Sequence, residues 1–119
     1  MIVSRVRSLG EVKLSLDLDG DEWNKVMNTN LRGLWLMSKA VGKRMRSANV
    51  AGSIINISST SSLERGLLVG NSAYAASKAA VNQLTKVCAY SNVFPFLYHM
   101  KPRLFFVYLR NGIKILRVS

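Results

Sequence analysis

Cysteine, histidine and proline are scarce in these 119 residues: Cys88 and His99 each stand alone, and Pro95 and Pro102 are the only prolines. A single cysteine excludes a disulfide within the chain and any metal site built from cysteines. His99, in FLYHMKP, has no second histidine and no nearby carboxylate to complete a metal site, so no metal is expected. Acid is missing from everything after Glu64. All six carboxylates (Glu11, Asp17, Asp19, Asp21, Glu22, Glu64) precede residue 65, eight of the 17 basic residues follow Glu64, and the net charge is +11. Such an excess suits a nucleic-acid or anionic-membrane surface. Here the cations are scattered singly, without a dense block or an aromatic-interleaved stripe, so nucleic acid is not an expected partner.

Long apolar runs are missing too. The stretch VFPFLYHMKPRLFFVYL is broken by His99, Lys101, Pro102 and Arg103, short of the roughly 18 clean residues that a membrane span needs. MIVSRVRSLGEVK lacks the roughly 7 to 15 apolar residues of a signal peptide. No membrane association is expected, and a cytoplasmic location is the default. What the chain does have is 49% apolar and 19% charged residues, a globular composition. Its length allows at most one small domain, whereas many folds that carry tyrosine chemistry are about twice as long.

The chain reads as alternating elements. In DLDGDEWNKVMNTNLRGLWLMSKAVGKRMRS the apolar positions Trp23, Val26, Met27, Leu31, Leu34, Val41 and Met45 follow helical spacing. Asp19 or Asp21 is placed to cap this helix, and Lys43, Arg44 and Arg46 suit its last turn, giving one long helix over about 19–47. GSIINISS then predicts a short buried strand over 53–58, apolar on both faces. A loop from Thr60 to Gly70 leads to a second helix over 72–90. Asn30 falls on the apolar stripe of the first helix, where an amide is costly unless hydrogen-bonded. Gly33, three residues on, costs about 1 kcal/mol relative to alanine in a helix interior. Together they suggest a local departure from regular helix, and on these residues alone Asn30 reads as a core amide satisfied by a nearby backbone carbonyl.

NSAYAASKAAV places Tyr74 and Lys78 at i and i+4, on one helix face. A phenol beside an ammonium has its charged form favoured, which brings proton exchange closer to neutral pH and suits general acid–base work. In open α/β sheets ligands bind beyond the carboxyl ends of strands, which is where Ser59 falls.

TNLRGLWLMSKAV, GSIINISS and SAYAASKAAVNQLTK, in this order and at these separations, closely resemble the central part of the short-chain dehydrogenase/reductases, particularly members similar to 3-oxoacyl-acyl carrier protein reductases. The resemblance covers about residues 10–89. It implies an α/β fold with a doubly wound, Rossmann-like parallel sheet, and hydride transfer between NAD or NADP and a carbonyl or alcohol. It also implies that Tyr74 is the general acid or base, and that Lys78 holds the nicotinamide ribose and lowers the tyrosine pKa. Ser59 would polarise the substrate oxygen, and Asn30 would support a water that relays protons to the lysine. The family serine usually stands thirteen residues before the tyrosine, which is the place of Ser61 here; Ser59 is favoured because the strand end fixes its location.

The departures are as informative. The sequence contains no T-G-x-x-x-G-x-G loop and no N-N-A-G segment, so the first β-α-β unit, which binds the dinucleotide pyrophosphate, is not represented. The family's sequence beyond the second helix is also replaced. The expected organisation is therefore a partial Rossmann-like domain over 1–92, followed by a divergent basic and apolar tail over 93–119 that packs poorly. The expected partners are a small carbonyl or alcohol substrate and further copies of the chain, contacted through the two helices. The alternative is an inactive remnant that serves as a subunit-interaction or anion-binding module.

Overall fold

The computed structural model describes residues 2–4, 7–50, 52, 54–63, 68–90, 105–109 and 112–116. Asp19 begins the first helical element: its Oδ1 accepts the Glu22 N–H at 2.8 Å, and Asp21 and Glu22 place further negative charge against the exposed amides of the first turn. The helical run proceeds as α1 (Gly20–Met27), widens to a π turn over Asn28–Arg32, and continues as α2 (Gly33–Ser47). The expected long helix is present, and its irregular turn contains Asn30 and ends at Gly33. At the far end Asn49 takes a left-handed φ of 53°. There Val50 N–H donates to Met45 O at 3.0 Å and Asn49 N–H to Arg46 O at 3.2 Å, the paired closure that satisfies helix-terminal carbonyls.

Strand β2 (Ile54–Ile57) matches the predicted strand with slightly shorter bounds. It pairs in parallel with β1 (Ile2–Ser4), Ile2 opposite Ile54, and with β3 (Phe105–Leu109), Ile55 opposite Phe106. Strand β4 (Gly112–Leu116) pairs antiparallel with β3, and the sheet order is β1-β2-β3-β4. Parallel neighbours require crossovers. The α1–α2 run supplies one, and α3 (Ser72–Tyr90) lies in the other. This is an α/β arrangement.

Two expectations need correction. The sheet is parallel only across β1, β2 and β3, because β4 runs the other way. Residues 105–109 and 112–116, within the tail expected to pack poorly, form paired strands; the aromatic and β-branched runs Phe105–Leu109 and Ile113–Leu116 favour extended pairing. The remainder of that tail lies outside the described residues.

Successive β2 side chains point to opposite faces. Asn56 donates through Nδ2 to Thr85 Oγ1 of α3 at 3.1 Å and accepts from Ser38 Oγ of α2 at 3.4 Å, so both helices lie over the Ile54 and Asn56 face. Ile55 and Ile57, on the opposite face, are half-buried. Leu18, Val26, Ala73 and Tyr74 pack together where α1 meets α3.

Candidate active site

A cleft of about 790 Å³ opens beyond the carboxyl end of β2. Its lining combines the polar Ser58, Ser59, Thr60, Ser61 and Asn71 with the apolar Leu9, Val12, Ile57, Leu68 and Val69, and Arg7, Tyr74 and Lys78 complete it. Gly70 lies between two lining residues, Val69 and Asn71. Its φ of +78° and its place against Val12 exclude a side chain, and its carbonyl accepts the Lys13 N–H at 3.1 Å.

The strand end sets the serines. Ser58 Oγ donates to Lys78 O at 2.9 Å, which ties the start of the loop to α3. Ser59 accepts the Ser61 N–H on its Oγ at 3.2 Å, capping the 3₁₀ turn Thr60–Ser62, and its carbonyl accepts from Ser62 Oγ at 2.5 Å. Ser59 and Ser61 are both buried and both line the cleft.

Tyr74 and Lys78 stand one turn apart on α3, 7% and 2% exposed, and the Lys78 Nζ lies 5.9 Å from the centre of the tyrosine ring. The Lys78 ammonium donates to Ile57 O at 3.2 Å, at the last residue of β2. Burial, with the positive charge of Arg7 adding to it, lowers the Lys78 pKa from 10.5 to about 8.

Asn30 does not line the cleft. It is fully buried one layer behind, where its amide forms a two-way pair with the Ser8 backbone, Nδ2 to O at 2.8 Å and N–H to Oδ1 at 2.7 Å. Nδ2 also donates to Ser77 Oγ at 3.0 Å, and Ser77 Oγ donates to Tyr74 O at 2.7 Å. Asn30 is thus held by the backbone of Ser8 and reaches the neighbour of Lys78 through Ser77.

Of the four sequence-derived residues, the structure brings Ser59, Tyr74 and Lys78 to one cleft and seats Asn30 behind them. Sequence reasoning missed Arg7, Ser8 and Ser77. Ser77 precedes Lys78 on the buried stripe that also carries Val81 and Thr85, so its helical phase was a usable signal. Arg7 and Ser8 follow β1, whose parallel pairing with β2 brings the two carboxyl ends to one edge. Among the described residues no group of three or more His, Cys, Asp or Glu side chains is placed to hold a metal, and no helix is long and apolar enough to cross a membrane.

A cleft lined by a tyrosine, a lysine and serines beyond the carboxyl end of a parallel strand is where open α/β sheets bind their ligands. The family model for short chain dehydrogenases matches residues 7–91, and the chain belongs to that family. It is 42% identical over 74 residues to (3R)-3-hydroxyacyl-CoA dehydrogenase of Homo sapiens, which covers 62% of this chain and 28% of that protein. It is 43% identical over 68 residues to estradiol 17-beta-dehydrogenase 8 of Callithrix jacchus, covering 57% of this chain and 49% of that one. A crystal structure of a short chain dehydrogenase from Mycobacterium smegmatis superposes with a TM-score of 0.72 at 27% identity, covering 80% of this chain and 38% of that one. 4-Hydroxyisoleucine dehydrogenase complexed with NADH superposes with a TM-score of 0.68 at 34% identity, over 74% and 38%. The chain thus spans between about a quarter and a half of the length of the curated relatives it matches.

Proposed function

We propose that the chain carries the proton-transfer centre of an NAD(P)-dependent oxidoreductase that interconverts a carbonyl and an alcohol. The observation that carries this reading is the convergence of Tyr74, Lys78 and Ser59 on one cleft at the end of a parallel strand. In reduction the Tyr74 hydroxyl gives its proton to the substrate oxygen; in oxidation the phenolate takes it back. Lys78, whose pKa is lowered to about 8, stabilises that phenolate in its charged form across one helical turn. The Ser59 hydroxyl, whose lone pair already serves the Ser61 N–H, keeps its hydrogen for the substrate oxygen. Asn30 acts through Ser77, fixing the turn of α3 from which Tyr74 and Lys78 project.

A nicotinamide supplies the hydride when bound. A buried cation and a row of hydroxyls in a cleft of this volume fit the polyhydroxylated nicotinamide-ribose end, with Lys78 and Tyr74 as the holding residues. The NADH complex of 4-hydroxyisoleucine dehydrogenase supports a nicotinamide cofactor, and the names of the curated relatives support dehydrogenase chemistry on small molecules. The sheet belongs to a Rossmann-like doubly wound arrangement, for which the half-buried Ile55 and Ile57 offer an apolar face opposite the two described helices. Self-association through α2 and α3 is supported by the exposed Trp35, Leu36, Met37 and Val87.

The test is turnover of a ketone panel with NADH and NADPH in the active enzyme, for wild type and Tyr74→Phe. Tyr74→Phe removes one hydroxyl and should cut turnover by about 10²- to 10⁴-fold with unchanged circular dichroism. An active Phe variant would refute the assignment. For the 119-residue polypeptide, whose sequence has no glycine-rich phosphate loop, fluorescence titration should show only weak dinucleotide binding.

A further inference from the structure

The cleft has a charge pattern that proton transfer does not require. Among its described lining residues are two cations, Arg7 and Lys78, and no carboxylate. Lys78 has a place in the proposed chemistry and Arg7 has none. The Arg7 charge nevertheless acts on the Lys78 ammonium, so the guanidinium lies within electrostatic reach of the reacting end. Arg7 is exposed and its packing does not explain its position. Leu9, Val12, Ile57, Leu68 and Val69 line the same cleft, so a ligand would meet both positive charge and apolar surface.

Resting on the oxidoreductase reading, we propose that Arg7 is an anion-recognition residue of this cleft, so that the site selects a ligand bearing a carboxylate or phosphate group beside the carbonyl or ribose held at Tyr74. Two like charges facing one cavity raise each other's free energy, and an anion placed with them removes that repulsion while gaining attraction from both. Guanidinium offers a planar fork that matches carboxylate and phosphate oxygens in pairs, which a lysine does not. The hydroxyls of Thr60 and Ser61 add neutral donors in the same cleft. The anionic group has two sources, a substrate carboxylate or a phosphate of the dinucleotide, and both present the same chemistry to Arg7.

The experiment is calorimetric titration of the 119-residue chain at pH 7 and low salt with acetoacetate, its neutral methyl ester, inorganic phosphate and NADH, on wild type, Arg7→Gln and Tyr74→Phe. The exposed Arg7 side chain makes Arg7→Gln tolerable to the fold, which circular dichroism verifies. Acetoacetate should bind at least about tenfold more tightly than its ester, and Arg7→Gln should weaken one or more of the anions about tenfold, the worth of one charge-assisted hydrogen bond, while leaving the ester unchanged. Loss confined to acetoacetate assigns the anion to the substrate, and loss confined to NADH and phosphate assigns it to the dinucleotide. Affinity for acetoacetate, phosphate and NADH that is unchanged in Arg7→Gln overturns the proposal, whatever the preference for acid over ester. Tyr74→Phe should retain Arg7-dependent anion binding, so a failure of the proton-transfer reading is seen as turnover that survives in Tyr74→Phe and is separate from a failure here.

Discussion

Lys78 should make the stability of this protein rise with pH over a range where most proteins change little. The residue is 2% exposed, with a pKa lowered to about 8 by burial and by Arg7, against 10.5 in the unfolded chain. Below about pH 8 both states hold the proton and the folded state bears the full cost of the buried charge. Between about 8 and 10.5 the folded state releases the proton while the unfolded state keeps it, so the unfolded chain binds more protons and the stability of the fold rises with pH. From pH 7 to pH 9.5 the gain integrates to about 2 kcal/mol. Cys88 opposes this above about pH 9, because burial raises its thiol pKa and the folded state then keeps a proton that the unfolded chain loses. The measurement is therefore made in a Cys88→Ala background, by urea unfolding followed through the fluorescence of Trp23 and Trp35 at pH 7, 8, 9 and 9.5. Lys78→Met in that background should flatten the profile. A stability that is constant or falls with pH, or an equal rise in Lys78→Met, would refute the reasoning.

Asn30→Ala should destabilise the fold by about 2–4 kcal/mol, because it strands the part-buried Ser8 N–H and carbonyl and removes a donor from Ser77; chemical denaturation reads this directly. Ser59→Ala should cut turnover of the active enzyme by 10-fold or more while Ser61→Ala changes it only slightly, and loss in Ser61→Ala alone would transfer the role to Ser61. Trp35→Glu should lower the oligomeric state seen by analytical ultracentrifugation, since it places charge on the exposed apolar face of α2; an unchanged sedimentation coefficient would remove α2 from the interface.

The elements that position the site could be read from the sequence because their signals are local. Asp19 followed by Asp21 and Glu22 announces a helix start, Arg44 and Arg46 mark its end, and a β-branched run between Gly52 and Ser58 leaves little choice but strand. The i, i+4 spacing of Tyr74 and Lys78 placed both on one face of α3. The disturbance at Asn30 was legible as a conflict between an amide on an apolar stripe and a glycine in a helix interior, although its form as a π turn was not. What stayed hidden depends on contacts between distant segments. Ser8 meets Asn30 across 22 positions, and Arg7 reaches the cleft because β1 and β2 run in parallel, which no window around residue 7 reports. The pairing of β3 with β2 is of the same kind, since it joins segments that no single window spans.

The buried polar pairs explain why this helix pair has one register. Asn30 binds Ser77, Ser77 binds Tyr74 O, Thr85 Oγ1 donates to Val81 O and accepts from Asn56, and Ser58 holds Lys78 O. Each made bond is worth only about 1 kcal/mol net, but each buried group left without a partner costs about 1–3 kcal/mol. Sliding α3 by one residue would rotate its side chains by about 100° and separate Asn30 from Ser77 and Asn56 from Thr85 together, whereas an apolar contact of Val81 would accommodate the slip more gradually. The penalty falls on the helix that carries Tyr74 and Lys78 and is enforced from both sides, by α1–α2 through Asn30 and by the sheet through Asn56. A phenol and an ammonium one turn apart keep a fixed relation to each other in any helix; it is the polar pairs that fix their relation to Ser59 and the strand end, and hence to whatever oxygen occupies the cleft.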